Sequence, residues 1–420
     1  EKCKGCTNCI KRCPTEAIRV RDGQAAIIEE RCIDCGECIR VCPNNAKLAF
    51  SDTVQILKAF DYNIALPSPS LFSQFKTPTT PEQVIGALAL NGFDEIYEVA
   101  LAADYLTCAL RIFIDENPGK TWISSSCPAV VRLIQVRFPS LLDNLIPLES
   151  PMELAALLSK NEASERLGIA KEKIGAIFIT PCPAKTTAVH QPVGNNTSVS
   201  GTIAISEIYG ALLKTIATGT APKVFPCASR FGLAWAMAGG EKLSITGYNN
   251  LAVDGIEQVV GLLEELELGR LDGVSFIEAQ ACPGGCLGGP LTVVNPYVSR
   301  ARTQTLMQTL SEDRVTSCDS VAPLLYMDKQ FSPRSILPLD TDVNTAIKMI
   351  ERIEQLSQEL PGLDCGACGS PSCKALAEDI VKNLAVETDC IFRLRERVKK
   401  LAEEMVDLAN KLPPAMRRGD

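Results

Sequence analysis

Histidine is nearly absent from this chain. One residue, His190, stands among 420. That excludes zinc sites built on several imidazoles. His190 precedes Gln191-Pro192 and reads as a loop residue rather than a ligand. An excess of basic charge is also missing. There are 42 Lys and Arg against 50 Asp and Glu, a net charge of −8. Nucleic acid is therefore not the expected main partner. No apolar run reaches the roughly 20 residues of a membrane-spanning helix. The opening Glu1-Lys2-Cys3 does not read as a signal peptide. The expected location is the cytoplasm. Apolar residues make up 46% of the chain, enough for a large core. The length predicts two to four domains.

Cysteine is what the chain has in quantity, 19 residues. Disulfide scaffolds are usually short and secreted, with scattered spacing. Here most cysteines fall in tight C-x-x-C groups, which favours metal. With imidazole gone, clusters held by thiolates remain. Residues 1–50 carry an internal repeat. Cys3, Cys6, Cys9, Cys13 and Pro14 recur in the same spacing as Cys32, Cys35, Cys38, Cys42 and Pro43. This run resembles bacterial two-cluster ferredoxins, in which the fourth cysteine of each run serves the other cluster. Cys3, Cys6, Cys9 and Cys42 are then expected to hold one 4Fe–4S cluster, and Cys32, Cys35, Cys38 and Cys13 the second. A module this small relays electrons, so it implies a redox centre beyond it.

From about residue 54, apolar runs alternate with helical patterns, which predicts parallel βαβ sheets. Four runs stop at distinctive loops: Tyr62–Leu66 at Pro67-Ser68-Pro69-Ser70, Lys120–Ile123 at Ser124–Pro128, Gly175–Thr180 at Pro181–Lys185, and Gly273–Ile277 at Glu278–Gly289. Ligands of open α/β sheets bind outside the carboxyl ends of the strands. Three of these loops carry cysteine: Cys127, Cys182, and the pair Cys282 and Cys286. Together they make one 4Fe–4S site. The alternative is four buried apolar cysteines, with the Cys282–Gly289 stretch a plain glycine-rich turn. The relay upstream favours the site.

Ser124-Ser-Ser-Cys-Pro128, Thr180-Pro-Cys-Pro-Ala-Lys185 and Glu278-Ala-Gln-Ala-Cys-Pro-Gly-Gly-Cys-Leu-Gly-Gly289 resemble, in order and spacing, the signature loops of FeFe hydrogenases. The resemblance covers about residues 1–330. It implies an H-cluster: a 4Fe–4S cubane bridged by one cysteine to a diiron unit with CO, cyanide and an azadithiolate. By motif position Cys127, Cys182, Cys282 and Cys286 hold the cubane and Cys286 is the bridge. Lys185 matches the lysine that hydrogen-bonds one cyanide, and Pro69-Ser70 the loop that contacts the other. Without the resemblance Lys185 would read as an ordinary surface residue. The implied activity is heterolytic conversion of H2 to protons and electrons, with ferredoxin or another carrier and maturation enzymes as partners, in an anaerobe.

The departures bear on proton transfer. The cysteine that passes protons in common catalytic members is Ser126 here. A serine hydroxyl is far less acidic than a thiol of pKa about 8.5. The glutamate expected after the second-loop lysine is Ala188. Methionines expected near two ligands are Thr180 and Gln280. The segment after Ala103-Asp104, Tyr105–Phe113, has no carboxylate. The serine expected after Asp143-Asn-Leu is Ile146. The third loop continues Gly289-Pro290-Leu291, where many members have further glycine and Gln-Pro. The usual path is expected to be absent and turnover slow. Glu278 and Glu241 are the substitutes to consider; Glu278 reads equally as a structural carboxylate, and Glu241 reads more readily as a surface residue. Cys108, Cys227 and Cys318 fit no motif and read as small buried side chains, with Cys108 placed where the relay acids are missing.

Breaks at Ser332-Pro333, Leu337-Pro338 and Leu360-Pro361-Gly362 mark a linker and helix. Then Cys365, Cys368, Cys373 and Cys390 resemble a small 4Fe–4S domain, with Gly366, Gly369 and Pro371 in the turn. A four-thiolate zinc knuckle is the alternative. Ile391, Leu394, Val398, Leu401, Met405, Leu408 and Leu412 follow three-four spacing up to Pro413-Pro414. That pattern reads either as a parallel coiled-coil dimer or as a helix packed on its own domain.

The expected architecture has four parts. Residues 1–50 form an α+β two-cluster ferredoxin module. Residues 51–330 form an α/β H-cluster domain with two parallel-sheet lobes around the site. Residues 331–395 form a linker and a helical 4Fe–4S domain, and residues 396–420 a coiled-coil helix. This makes four 4Fe–4S clusters and one diiron unit. The arrangement resembles the sensory type of FeFe hydrogenase that lacks a PAS domain, group D-like, or a truncated member. The leading expectation is slow H2 oxidation read out through the C-terminal cluster to a signalling protein. A metabolic, ferredoxin-linked hydrogenase is the second. A non-catalytic iron–sulfur assembly protein lacking the diiron unit is the third, disfavoured by Lys185, Pro69-Ser70 and the third loop.

Overall fold

The computed structural model describes residues 2–192, 197–219, 228–311, 317–327, 330–334, 339 and 342–411. Cys227, Leu337-Pro338, Leu412 and Pro413-Pro414 lie outside the described residues. The chain packs as two compact units that do not follow chain order. One contains residues 33–40 and 48–334; the other contains 1–32, 41–47 and 335–420.

The larger unit holds two parallel sheets. The smaller unit contributes the hairpin strands β1 (Ile18–Arg21) and β2 (Gln24–Ile27). In the larger one, β3 (Tyr62–Pro67), β4 (Glu95–Ile96), β6 (Ile174–Thr180) and β7 (Gly201–Ala204) form a sheet of order β4-β3-β6-β7. A second sheet has the order β5-β9-β8, from Trp122–Ile123, Phe276–Gln280 and Asn250–Asp254. Every residue of β6 and β9 is buried. Strands covered on both faces need apolar residues without alternation, which is the pattern of Ile174–Thr180. Pairing Leu66 with Phe178 and Leu251 with Ile277 sets the register in each sheet. With that register, β3, β5, β6 and β9 all end at the loops singled out by sequence.

Two of these loops turn directly into helices. Pro128–Arg137 and Pro183–His190 each begin with proline at the first turn, and Cys127 and Cys182 are their N-cap residues. Proline suits that position because its missing N–H would have no partner in the helix. The Cys-Pro pair thus places each sulfur at the positive end of a helix. Helix Val99–Glu116 covers the site from the other side, burying Ala102, Ala103 and Leu106.

Residues 33–40 are part of this unit although they belong to the ferredoxin repeat. Ile33 packs in one core with Val130, Leu133 and Ala281. Arg132 Nη1 pairs with Asp34 Oδ2 at 2.7 Å. Gly36 has φ +73°, and a Cβ there would lie 2.3 Å from Pro290 Cγ. Residues 33–40 are keyed into the third signature loop through that glycine.

In the smaller unit β1 and β2 form an antiparallel hairpin pairing Ile18 with Ile27. Asp22 and Gly23 at its turn both have positive φ, the signature of a tight hairpin turn. Helices Val343–Glu359 and Cys373–Val381 pack through Ile353, Leu356 and Leu376 beside Cys390. Cys390 is the N-cap of helix Ile391–Asn410, in which no residue is buried. Its stripe of Leu394, Val398, Leu401, Met405 and Leu408 is exposed, so among the described residues nothing of its own unit covers the stripe. Among the described residues no helix is long and apolar enough to cross a membrane.

Candidate metal centre

The four strand-end loops of the larger unit converge on one cavity. Cys127, Cys182, Cys282 and Cys286 line it together with Lys185, Pro69 and Ser70. Cys182 and Cys282 are 6% and 7% exposed. Burial pushes the Cys182 thiol up to about 12. Burial also raises Cys282, to about 11, against the opposing charge of Arg40. A thiol in such a place is inert until a metal displaces its proton.

Lys185 is not a surface residue. Its Nζ lies 3.8 Å from Cys286 Sγ. Burial alone would lower its pKa, but the sulfurs of Cys286, Cys182, Cys127 and Cys282 outweigh that and raise it. Once metal has displaced the thiol protons, the group therefore remains an ammonium. Facing it, Ser70 is fully buried in a loop fixed by its own polar groups. Ser68 and Ser70 hydroxyls are 2.8 Å apart, and Gln74 Nε2 donates to the Ser70 carbonyl at 3.0 Å.

The third loop needs glycine at close approaches. A Cβ on Gly285, φ +81°, would sit 2.2 Å from Gln280 Oε1, and one on Gly289 would sit 2.2 Å from Pro181 O. Gln280 Oε1 is buried without a hydrogen-bond partner. Thr180, the other replacement, accepts the Cys182 N–H at 3.2 Å and donates to Cys182 O at 3.0 Å. It holds the ligand loop rather than reaching into the cavity.

The expectation that Glu241 is a surface residue is overturned. It is 1% exposed. Ser126 Oγ donates to its Oε1 at 2.5 Å and Ser124 Oγ to its Oε2 at 2.6 Å. Glu278, also 1% exposed, accepts the Gly239 and Lys242 N–H groups at 2.9 Å each and Gln280 Nε2 at 3.2 Å. Burial and the charge of Glu241 push Glu278 up to about 8. Burial raises Glu241 as well, against hydrogen bonds from Ser124 and Ser126. Two carboxyls that resist joint ionisation at neutral pH stand behind Ser126, the position where the resemblance leads one to expect a cysteine.

Ala188 and Ser126 line a neighbouring cavity of about 480 Å³. Ile146 is buried in apolar core. Cys108 packs beside Cys318, whose thiol burial pushes up to about 12, with Cys108 adding to the shift. Two groups escaped the sequence reading. Asp104 is buried and anchors the Ser229–Gly232 turn through the Ser229 N–H at 2.8 Å and the Gly232 N–H at 2.8 Å. Arg40 has all three guanidinium nitrogens buried without a well-formed hydrogen bond. They face Cys282 and Cys35, with Glu37 at 3.5 Å. The spacing of the cysteine run gave no sign of either role.

The model of the family described as "Iron only hydrogenase large subunit, C-terminal domain" matches residues 61–222 and 235–290. This chain belongs to the iron-only hydrogenase large-subunit family. A 4Fe–4S dicluster model matches residues 1–43 and an Fe–S cluster model residues 360–392, on either side of the hydrogenase domain. The NADP-reducing hydrogenase subunit HndD of Solidesulfovibrio fructosivorans is 26% identical over 366 residues, covering 72% of this chain. The chain spans 58% of that relative's length. Iron hydrogenase 1 of Clostridium pasteurianum is 26% identical over 114 residues, which cover 26% of this chain and 20% of that protein. A solved variant of FeFe hydrogenase HydA1 from Chlamydomonas reinhardtii shares the fold, with TM-score 0.51 and 15% identity, over 68% of this chain and all of that one.

The donor set suits the H-cluster of this family. It offers four thiols, a half-buried ammonium among them, the Arg40 guanidinium facing Cys282, and Gln280 Oε1, which is buried without a hydrogen bond. Among the described residues no three Cys, His, Asp or Glu side chains converge on a single-ion site. A cubane binds each thiolate through a different iron and does not need that convergence.

Proposed function

We propose that this hydrogenase-family chain oxidises H2 slowly and serves as a sensor. Cys127, Cys182, Cys282 and Cys286 would hold the cubane, with Cys286 as the bridge. When bound, the diiron unit and its azadithiolate supply heterolytic H2 chemistry. The chain's own residues do three things around it. Lys185 and the Ser68–Ser70 loop present donors to anionic diatomic ligands, where charge-assisted hydrogen bonds are strongest. Val99, Ala103 and Phe178 keep that side of the cavity apolar. Ser126, Glu241 and Glu278 carry the proton: Ser126 Oγ gives its proton to Glu241 Oε1 as it receives another, and the carboxyl pair stores it.

The observation that carries this reading is the Ser126–Glu241 hydrogen bond of 2.5 Å. A serine at the thiol position would interrupt the common path, yet here it is joined to a buried acid. The acid keeps turnover alive, and the weak acidity of the hydroxyl keeps it slow. Ser126→Cys is expected to raise H2 oxidation several-fold. A wild type already as fast as metabolic hydrogenases would refute the sensory reading. Unchanged turnover in both Glu241→Ala and Glu278→Gln would remove the acid pair from the path.

Electrons would leave through the 4Fe–4S clusters of the two cysteine runs and of Cys365, Cys368, Cys373 and Cys390, towards helix Ile391–Asn410. Its exposed stripe, with Ile and Val at alternate positions to Leu, suits a parallel two-stranded coil with a second copy or a signalling protein. The metabolic reading draws on HndD, a subunit of an NADP-reducing hydrogenase. Fast exchange of electrons with ferredoxin, with no response of a partner to H2, would favour it.

A further inference from the structure

The turn that carries Cys365 and Cys368 is built against the N-terminal ferredoxin hairpin within the smaller unit. Two of its glycines mark the contact. Gly369 has φ +79°, and a Cβ there would lie 1.9 Å from the Val20 carbonyl oxygen. Gly366 has φ +73°, and a Cβ there would lie 2.9 Å from Lys11 Cε. Val20 N–H donates to Gly369 O at 2.7 Å, on the edge of β1 that β2 leaves open. Lys11 Nζ donates to the Asp364 carbonyl. Arg21 Nη1 donates to the Cys368 carbonyl at 2.9 Å.

A buried carboxylate locks this junction. Asp379 is 4% exposed. It pairs with Arg19 Nε and Arg21 Nη2 at 2.7 Å each and accepts from Ser370 Oγ at 2.8 Å. Beside it Arg31 pairs with Glu378. A carboxylate so placed is stable only while both guanidiniums stay in position. The clamp therefore ties β1 and the C-terminal turn together as one body.

The junction also borders the first cysteine set through Val20 and the helix that ends at Lys11. Val20 borders a small cavity with Cys3, Cys6, Cys9 and Cys42. Lys11 ends the helix Asn8–Lys11 that carries Cys9. One strand and one short helix thus touch the C-terminal turn and also border the first cysteine set, the helix carrying its Cys9. We propose that the C-terminal cluster exchanges electrons directly with the cluster of Cys3, Cys6, Cys9 and Cys42, and that Asp379 is the positioning residue that sets their contact. The step moves one electron from the reduced cluster to the oxidised one, with no bond made or broken. It rests on the reading that Cys365, Cys368, Cys373 and Cys390 hold a 4Fe–4S cluster.

The test is electron paramagnetic resonance of the full chain with its clusters assembled and chemically reduced. Adjacent reduced clusters broaden and split each other's signals. Cys373→Ala should lower the iron content by one cluster and simplify the signal of the Cys3 cluster. Asp379→Asn and Arg21→Gln should keep the iron and weaken the splitting. A Cys3-cluster signal identical in Cys373→Ala and wild type, with one cluster's iron lost, would overturn the proposal and leave the cluster reading intact. Iron content unchanged by Cys373→Ala would instead show that the C-terminal cysteines hold no cluster, and both would fall.

Discussion

Cys182 and Cys282 at the strand ends and Cys3 and Cys42 of the ferredoxin repeat sit in different surroundings. Cys182 and Cys282 are buried, and burial pushes their thiols up to about 12 and 11. Cys3 and Cys42 are held below the usual thiol value by backbone N–H groups, those of Gly5 and Ala46 foremost. Cys6 and Cys365 are exposed. A relay cluster needs an edge that electrons can reach, and backbone donors suffice to stabilise its charge. A site for H2 chemistry needs dryness, and under the proposed function Lys185 would balance its charge and specific acids would handle its protons. The same residue type is thus used in two ways, set by how deep the loop lies.

The sharpest way to break the contrast is to remove the residue that belongs only to the deep site. Cys286→Ala should abolish H2 oxidation and the infrared bands of CO and cyanide, while iron of the ferredoxin repeat remains. Lys185→Ala should lower activity by about 10²–10³-fold, as loss of one preorganised donor does. Its cyanide bands should shift. Glu241→Ala and Glu278→Gln should lower turnover by about 10²-fold each, the usual worth of a proton-transfer group.

The pH response follows from Glu278. Its pKa in the folded chain, about 8, lies above the ordinary carboxyl value. The native state therefore holds a proton that the unfolded chain has already lost. The stability it contributes is full at acid pH and declines from about pH 4 until the pH passes 8. Infrared titration should show a protonated carboxyl at pH 7 that ionises near 8 and is missing in Glu278→Gln. The smallest effect on chemistry is expected at the far end. Leu401→Lys should leave H2 oxidation within two-fold and shift a dimer toward monomer by sedimentation, if the exposed stripe of Ile391–Asn410 pairs with a second copy.

Much of the architecture was legible because it rests on local rules. The proline after Cys127 and after Cys182 opens a helix with no N–H to satisfy, so each cysteine becomes an N-cap. The continuous apolar runs around Leu66 and Phe178 became buried parallel strands ending at the signature loops. What escaped depends on contacts between distant segments. Glu241 follows two glycines and looks solvent-facing until Ser124 and Ser126, more than a hundred positions earlier, close over it. Residues 33–40 read as part of a ferredoxin repeat, and only tertiary contacts, such as the fit of Gly36 against Pro290 and of Asp34 against Arg132, reveal that they pack with the hydrogenase sheets. Pro290 looked like a departure from the family pattern; its ring fills the space left by that glycine. Arg40 and Asp379 gave no signal at all, since a charge buried by tertiary packing is indistinguishable in sequence from one in solvent.

The central claim is that the deep thiols and Lys185 hold a complete H-cluster served by a slow proton path. Infrared spectroscopy of the matured protein under H2 tests it most directly. The account predicts bands of metal-bound CO and cyanide that shift when H2 is admitted, slowly in the wild type and faster in Ser126→Cys. A protein that takes up cubane iron yet shows no such bands after maturation would contradict it.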